Sequence, residues 1–350
     1  MKNNTLLLIL FNFLTNLAYS QITISQGDLP LSNEQYYYSN VADFITIDVN
    51  QAGANQNWDF SNLLAVNMDS VITEPVSNTP ITYQFYFSNQ FMYPDYYSTY
   101  AQKGIDISAF NSQISITDRY DFYKVSSSKH EIVGFGANIN GLPSSVKYDT
   151  IDQLYPLSMT YGTSDSTTAS YLIAIPSLGT YGQWIRREIE VDSWGTITTP
   201  YATYNALRVK TTLNQRDTLY VDQLMYGTSF DRPTEIIYEW IATNEGLPVF
   251  SVTTQGSVIN AAKYIDQAPP PSTNIIDFTK VLDVYPNPVE DVLYIQGKNQ
   301  NEVEIYSLSG KIISRWTNTN YINVSNIAKG TYLIKVISEE STLIKKFNKI

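Results

Sequence analysis

The sequence contains no cysteine among its 350 residues, and this absence removes several kinds of chemistry at once. Disulfide bonds, thiolate nucleophiles and cysteine zinc sites are all excluded. A bacterial lipoprotein anchor is excluded as well, because it needs a cysteine at its cleavage site. Stability must therefore come from the burial of apolar side chains, for which a chain of this length is sufficient.

Histidine is almost as scarce, since His130 is the single one in the sequence. A Ser-His-Asp hydrolase would have to use it, yet the sequence has no Gly-x-Ser-x-Gly nucleophile motif. The preceding segment, Ser126 to Lys129, is typical of a polar turn, so we interpret His130 as a surface imidazole. The glycine-rich residues 134–141 lead into Leu142-Pro143 instead of a helix, which favours a hairpin bend over a phosphate-binding loop.

Long apolar runs are missing after the first twenty residues, so the sequence predicts no transmembrane helix in the mature chain. At the front, Lys2 precedes an apolar run from Leu6 to Leu17, and Ala18-Tyr19-Ser20 follows. A basic start, a short apolar core and a small-x-small site are typical of a secretory signal peptide. We expect residues 1–20 to be this peptide, with cleavage between Ser20 and Gln21.

Positive charge is also scarce in most of the chain. Residues 22–279 carry 12 Lys and Arg against 26 Asp and Glu, whereas the counts from Lys280 onward are 9 against 7. Nucleic acid is an unfavourable partner for this acidic part, because phosphate binding needs clustered cations. The net negative charge favours solubility outside the cell and is compatible with cation binding.

Tyrosine and short alternating runs are what the sequence has in abundance, with 28 Tyr in total. The runs are rich in β-branched and aromatic residues and are separated by turn residues, so they predict an all-β body built as one or two antiparallel sandwiches. The predicted strands are Phe44 to Val49, Ile81 to Phe87, Ile114 to Thr117, Tyr171 to Ile175, Trp184 to Val191, Leu207 to Thr212, Ile236 to Ile241 and Pro248 to Thr254.

The last seventy residues predict a separate, smaller Ig-like β-sandwich. Gly310 between two strand runs can take the positive φ that a tight hairpin needs, while Pro286 and Pro288 must lie at a strand start or edge. The predicted strands are Val292 to Ile295, Glu302 to Tyr306, Lys311 to Trp316, Tyr321 to Val324, Thr331 to Ile337 and Thr342 to Phe347.

A proline-rich segment marks the boundary between the two parts. Pro269, Pro270 and Pro271 favour an extended, semi-rigid spacer that holds the small domain clear of the body. We therefore divide the chain into a signal peptide (1–20), a body (21–266), a linker (267–279) and a C-terminal domain (280–350).

The C-terminal domain carries four ordered motifs, namely Pro286-Asn287-Pro288, Gly310-Lys311, Gly330 with Tyr332, and Lys345 with Lys349. Through these motifs it resembles the type A C-terminal sorting domain of the type IX secretion system of Bacteroidota. The resemblance implies recognition by the outer-membrane translocon and then cleavage by its sorting peptidase. It also implies a protein that is released from the cell or attached to its surface.

The body shows a weaker likeness. The segment from Gly53 to Ser61 and the segment from Arg187 to Lys210 are similar to stretches of uncharacterised β-rich cargo that carries the same tail. This likeness implies no activity.

Paired carboxylates keep a glycan-active hydrolase open as the alternative function, since glycosidases work through two such groups. Candidate pairs are Asp118 with Asp121, and Glu188, Glu190 and Asp192 on one strand face. For Glu188, Glu190 and Asp192, the simpler interpretation is a solvent-exposed strand face without a catalytic role.

No cofactor is expected, although a structural calcium ion could use oxygen ligands from Asp149 and Asp152, or from Thr163 to Ser166.

Clustered aromatic residues are the most suggestive feature of the body. Tyr36-Tyr37-Tyr38, the run from Phe91 to Tyr97, and Tyr100 place many rings in loop-like sequence. Exposed rings can stack on sugars while tyrosine hydroxyls bond to the hydroxyl groups of a glycan. We therefore expect a binding, adhesion or structural module with a glycan or matrix ligand, although the same tyrosines could simply fill a core.

Overall fold

The computed structural model describes residues 22–41, 47–109, 114–176, 178–269, 283–296, 300–338 and 342–350. Regular structure in these ranges consists of β-strands and four single-turn 3-10 helices, at Gln26–Asp28, Val76–Asn78, Ile81–Tyr83 and Asp222–Leu224. The strands of the body are β1 (Glu34–Val41), β2 (Gly53–Asp59), β3 (Ala65–Glu74), β4 (Tyr100–Lys103), β5 (Ile107–Ala109), β6 (Ile114–Val125), β7 (Lys129–Ile139), β8 (Leu142–Pro156), β9 (Ser164–Ile175), β10 (Gly179–Thr198), β11 (Thr203–Val221), β12 (Tyr226–Asp231), β13 (Glu235–Ala242), β14 (Phe250–Gln255) and β15 (Val258–Asp266). The C-terminal strands are β16 (Asp283–Tyr285), β17 (Val292–Gln296), β18 (Gln300–Ser307), β19 (Ile312–Thr317), β20 (Tyr321–Asn323), β21 (Gly330–Ser338) and β22 (Thr342–Lys349).

The body strands form one sheet that closes on itself. Neighbouring strands follow the order β11, β13, β14, β15, β1, β3, β4, β6, β7, β8, β9, β10, and β10 then pairs again with β11. Strands β2, β5 and β12 are attached to the outside of this ring, with β2 parallel to β10. The predicted all-β class is confirmed, but the sandwich expected for the body is wrong, because the ring makes a closed twelve-stranded barrel.

The long hairpin of β10 and β11 closes the ring, since these strands pair from Gly179↔Val221 to Thr198↔Thr203. The predicted strands Trp184 to Val191 and Leu207 to Thr212 lie within it. A bulge between Val191 and Ser193 changes the register at Asp192. Glu190 pairs with Lys210, which shares a strand face with Arg208, and Asp192 binds Arg208. Glu188 and Glu190 are exposed on this face, whereas Asp192 is half-buried there.

Cross-strand register separates an inner and an outer row of side chains on the wall formed by β10, β11, β13, β14 and β15. Directly paired residues share a face of the sheet, and the next residue along each strand points to the other face. The inner row is Val191, Val209, Glu239, Ser251 and Lys263; the outer row is Ser193, Arg208, Trp240, Phe250 and Tyr264.

Arg208 is the polar centre of the outer row and is fully buried. Its guanidinium forms a bidentate ion pair with Asp192, with both nitrogen–oxygen distances 2.8 Å. It also donates to the carbonyl oxygens of Val49 and Gln51, at 2.8 and 2.9 Å. Four of the five N–H donors of this arginine thus have partners, which is what permits its burial.

Two predicted strands of the body differ from what the structure shows. Of the strand expected from Phe44 to Val49, residues 44–46 lie outside the described residues, and 47–49 have no regular structure. The run from Ile81 to Phe87 is a 3-10 helix followed by turns. Tyr83 and Phe87 are buried while Phe85 is exposed. In a strand all three side chains would share one face, so this pattern belongs to the turns.

The C-terminal domain is the small sandwich that the sequence predicts. One sheet orders its strands β16-β17-β20, and the other orders them β19-β18-β21-β22. Their inner faces share one core, to which Leu293 and Ile322 contribute from the first sheet, and Ile305 and Val336 from the second. Gly310 has φ +80°, as a tight hairpin between β18 and β19 requires.

The C-terminal domain contacts the body. Tyr306, Leu333 and the partly buried Ile344 belong to the same apolar cluster as Trp240 and Phe250 of the outer row. Residues 270–282, which hold most of the predicted linker, lie outside the described residues. The expectation that the linker holds the two parts clear of each other is wrong, because apolar side chains on both sides are buried together.

Within the described ranges, no helix has the length and hydropathy needed to cross a membrane.

Substituting Arg208 tests the outer row. We expect Arg208→Met to lower the free energy of unfolding by about 3–5 kcal/mol, because it leaves the Asp192 carboxylate buried without its partner. The matched control is Arg216→Met, whose Asp231 partner is solvent-exposed, so stability should change little. Urea denaturation measures both variants, and equal effects would contradict the assignment.

Candidate functional site

Three of the four sorting motifs meet at the C-terminal strand β22. The side chain of Asn287 donates to the Lys346 carbonyl oxygen at 3.1 Å and accepts from the Asn348 amide at 2.9 Å. Lys345 pairs with Asp283, just before the Pro286-Asn287-Pro288 motif. The Pro-x-Pro loop is thus fastened to the strand that carries the terminal lysines.

The Gly330 and Tyr332 motif joins the same strand from its other side. Gly330 pairs with Lys349, and the Tyr332 ring stacks on Phe347 with centroids 5.8 Å apart. Gly310 and Lys311 do not belong to this group, because their hairpin lies beside Asn62 of the body. Whether these residues act as the sorting signal stays a prediction. The predicted cleavage site at Ser20 and Gln21 lies outside the described residues.

In the body, a cavity of about 180 Å³ lies inside the barrel. Residues of β4, β6, β7 and β8 form one wall, and the inner row of β13, β14 and β15 forms the opposite wall. The segment Leu29-Pro30 and the loop from Gly246 to Pro248 line one end, where the Asn244 amide donates to Asp28 at 3.0 Å. The polar groups lining the cavity are Tyr38, Tyr100, Gln102, Tyr123, His130, Tyr155, Glu239, Ser251 and Lys263.

His130 lines this cavity and is only 4% exposed, so its predicted place on the surface is wrong. The polar turn expected before it does exist, but β7 begins at Lys129 and turns the imidazole inward. Its Nε2 lies 2.9 Å from the Tyr100 hydroxyl, whereas Nδ1 has no hydrogen-bond partner in the described residues. Burial lowers the pKa of His130 to about 3, so the ring is neutral at neutral pH.

Glu239 projects into the cavity from β13. It accepts a hydrogen bond of 2.7 Å from the Tyr155 hydroxyl of β8, so this bond crosses the barrel interior. Burial raises the pKa of Glu239, and Glu239 in turn contributes to the raised pKa of Tyr155, after burial itself.

Lys263 stands two strands from Glu239 on the same inner row. Its ammonium lies 4.5 Å from the Tyr38 ring centroid and makes no ion pair or hydrogen bond in the described residues. Burial lowers the pKa of Lys263. The cavity thus holds one acid and one base, both taken partly out of water.

The carboxylates predicted as possible catalytic pairs are engaged elsewhere. Asp118 accepts from Lys103 at 2.8 Å, and Asp121 binds Arg119 at 2.6 and 2.8 Å. Asp192 belongs to Arg208, as described above. Glu188 and Glu190 are exposed, and Glu188 lies 2.9 Å from Arg186.

The oxygen ligands suggested for calcium are not gathered in one place. Asp152 forms a bidentate pair with Arg187, at 2.8 and 3.1 Å, while Asp165 accepts from Gln153 at 2.6 Å. Among the described residues, no three His, Cys, Asp or Glu side chains come close enough together to hold a metal ion.

The predicted aromatic run lies on an exposed segment between β3 and β4, residues 81–97, which we name the aromatic loop. Ile81, Phe85, Phe91 and Met92 are 84%, 60%, 97% and 62% exposed. Phe85, Tyr86 and Tyr93 pack against one another with centroid distances of 4.9 to 5.7 Å. Tyr36 and Tyr37 are half-buried in β1, and Tyr38 and Tyr100 are buried.

The aromatic loop is anchored on glycines of β7. Phe87 stacks on Phe122 at 4.0 Å, and a Cβ atom at Gly136 would overlap Tyr83. The glycine-rich residues 134–141 therefore serve close packing, and the predicted hairpin bend follows at Asn140-Gly141, where Ile139 pairs with Leu142.

Sequence reasoning missed Glu239, Lys263 and Tyr155. A signal for Glu239 was available, because it alternates with Ile237 and Ile241 on the buried face of a strand that was correctly predicted. A carboxylate within an otherwise apolar run is unusual and indicates a special environment. Tyr155 and Lys263 carry no comparable local signal.

The pH dependence of stability tests the buried state of His130. Its pKa in the folded chain is about 3, below the ordinary 6.5, so the folded state binds fewer protons between these values. Its contribution to stability is complete above pH 6.5 and is lost as the pH falls toward 3, by about 1.4 kcal/mol per pH unit at most. We expect His130→Gln to flatten this part of the profile, measured by urea denaturation between pH 7 and 4. Parallel profiles for the two chains would refute the burial.

Comparisons with known proteins locate the tail. Residues 283–349 match the family described as "Secretion system C-terminal sorting domain". No significant match was found among curated proteins or among solved structures. The matched range covers both sheets of the small sandwich and all four motifs. Residues 283–349 are therefore a type IX secretion C-terminal sorting domain, and the protein is exported by that system to the cell surface or beyond.

Proposed function

We propose that the body is an extracellular binding module that contacts polysaccharide through the aromatic loop. The observation that carries this proposal is the exposure of Phe91, which is 97% accessible in the same loop as the exposed Phe85 and Met92. Contiguous apolar groups on a soluble surface mark interaction sites.

Polysaccharide suits this surface better than an apolar partner does. The hydroxyls of Tyr86 and Tyr93 make no hydrogen bond within the described residues, while their rings pack against each other in the loop. Rings that offer a face for stacking and a free hydroxyl at the rim match the alternating apolar and polar surfaces of a sugar. The acidic charge of the body favours an uncharged or cationic polymer over an acidic one.

A hydrolase finds less support. Asp121, Asp152 and Asp192 are each bound to an arginine, so their carboxylate oxygens are already occupied. These acids are structural in the proposed binding module.

The proposal also assigns the steps of export and processing to segments of the chain. Residues 1–20 act as a signal peptide into the periplasm, the body spans 21–266, and the sorting domain engages the secretion machinery. Cleavage in the linker, residues 267–279, then separates the sorting domain from the body. Bacteroidota are the expected source, because the tail resembles their sorting domains.

Transplanting the tail tests export directly. A periplasmic reporter that carries residues 267–350 at its C-terminus should reach the medium or cell surface of a host with the type IX system. The same reporter should stay in the periplasm when the chain stops at residue 282. Cell fractionation measures the distribution, and equal export of both reporters would overturn the role of the tail.

Loop substitutions test the binding surface. The double variant Ile81→Ser, Phe91→Ser should bind insoluble polysaccharide at least tenfold more weakly, because it removes two exposed contact groups without touching the core. Ile105→Ser is the matched control, since Ile105 is 85% exposed outside the loop. Sedimentation with a polysaccharide panel measures both.

The proposal fails if the unaltered protein binds no polysaccharide of the panel, or if the double variant binds as well as the control. Binding to matrix proteins alone would also overturn it, because it would assign the loop to a protein partner.

A further inference from the structure

The cavity inside the barrel has the size of a small ring molecule. A buried apolar cavity of about 150 Å³ is enough to take up benzene. The cavity here, about 180 Å³, leaves room for a six-membered ring with substituents. It lies between opposite walls of the barrel, away from the groups that form the aromatic loop.

Its lining offers hydrogen-bonding groups that the protein leaves unused. The hydroxyls of Tyr38 and Tyr123, the amide of Gln102 and the ammonium of Lys263 have no hydrogen-bond partner among the described residues. Polar groups that line a partly enclosed cavity are costly to leave without partners, so several unused groups around one cavity favour a polar occupant.

The two charged side chains that line the cavity, Glu239 and Lys263, have opposite signs. Glu239 and Lys263 stand on one inner row with the small Ser251 between them, and His130 is neutral. A ligand with a net charge would leave one of these groups opposed by a like charge in a partly dry site. An uncharged ligand with several hydroxyl groups can instead donate to Glu239 and accept from Lys263.

The remaining walls are aromatic. Tyr100 and Tyr123 are stacked, with centroids 4.8 Å apart, and Tyr155 and Tyr38 face the cavity from other strands. Aromatic faces next to a carboxylate, an amide and an ammonium suit a ring that is apolar on its faces and polar at its rim.

We propose that this cavity binds an uncharged, hydroxyl-bearing six-membered ring of monosaccharide size, held between Glu239 and Lys263. The site is independent of the aromatic loop. The cavity would bind small sugars, whereas the loop would bind polysaccharide. Neither site requires the other.

The experiment uses the full chain and isothermal titration calorimetry with D-glucose, D-galactose, D-mannose, D-xylose, L-fucose, N-acetyl-D-glucosamine and myo-inositol. At least one compound should bind with a Kd below 1 mM. Ser251→Leu, which fills the space between the acid and the base, should weaken that binding at least tenfold. Lys263→Met, which keeps the apolar stem, should do the same.

Ser166→Leu makes the same chemical change on an exposed position of β9 and should leave the affinity unchanged. The aromatic-loop double variant should also keep it, which separates this proposal from the polysaccharide proposal. Circular dichroism confirms that each variant is folded. Phenol and L-phenylalanine are titrated alongside as aromatic comparison ligands. The proposal is overturned if none of the sugars or myo-inositol binds, whether or not an aromatic compound does, or if both cavity variants bind as well as the Ser166 control.

Discussion

The ion pair between Arg208 and Asp192 is the interaction on which the architecture depends. The guanidinium lies on the outside of the barrel wall but entirely inside the protein, where it bonds to Asp192 on β10 and to the backbone before β2. Trp58, Tyr238 and Trp240 surround it with centroids 5.3 to 5.9 Å from the guanidinium carbon. One charged group therefore joins the hairpin that closes the barrel to the segment that covers its outer face.

The bulge beside Val191 makes this bond possible. An extra residue in β10 directs Asp192 toward Arg208 while Val191 stays on the inner row. The two faces of the same wall then have different tasks. The outer face packs against other parts of the chain, and the inner face, through Glu239 and Lys263, supplies the polar side of the cavity.

Local pattern was enough for most strands and for the sorting domain, because alternation within a strand and ordered motifs are properties of neighbouring residues. Trp184 to Val191 and Ile236 to Ile241 were found in this way. Closure of the sheet into a barrel could not be predicted from local pattern. It depends on β10 pairing with β11 along its whole length while β10 also pairs with β9. His130 was misplaced for a similar reason, because its partner Tyr100 comes from another strand. The residues that line the cavity come from many strands between β1 and β15, so no single stretch of sequence predicts it.

The shared apolar cluster between the sorting domain and the body has a consequence for maturation. Tyr306 and Leu333 shield a surface that includes Trp240 and Phe250. A passenger separated from its tail exchanges that intramolecular shield for water or for a new neighbour. The proposed cleavage would therefore expose an apolar surface of the body in addition to removing the sorting domain.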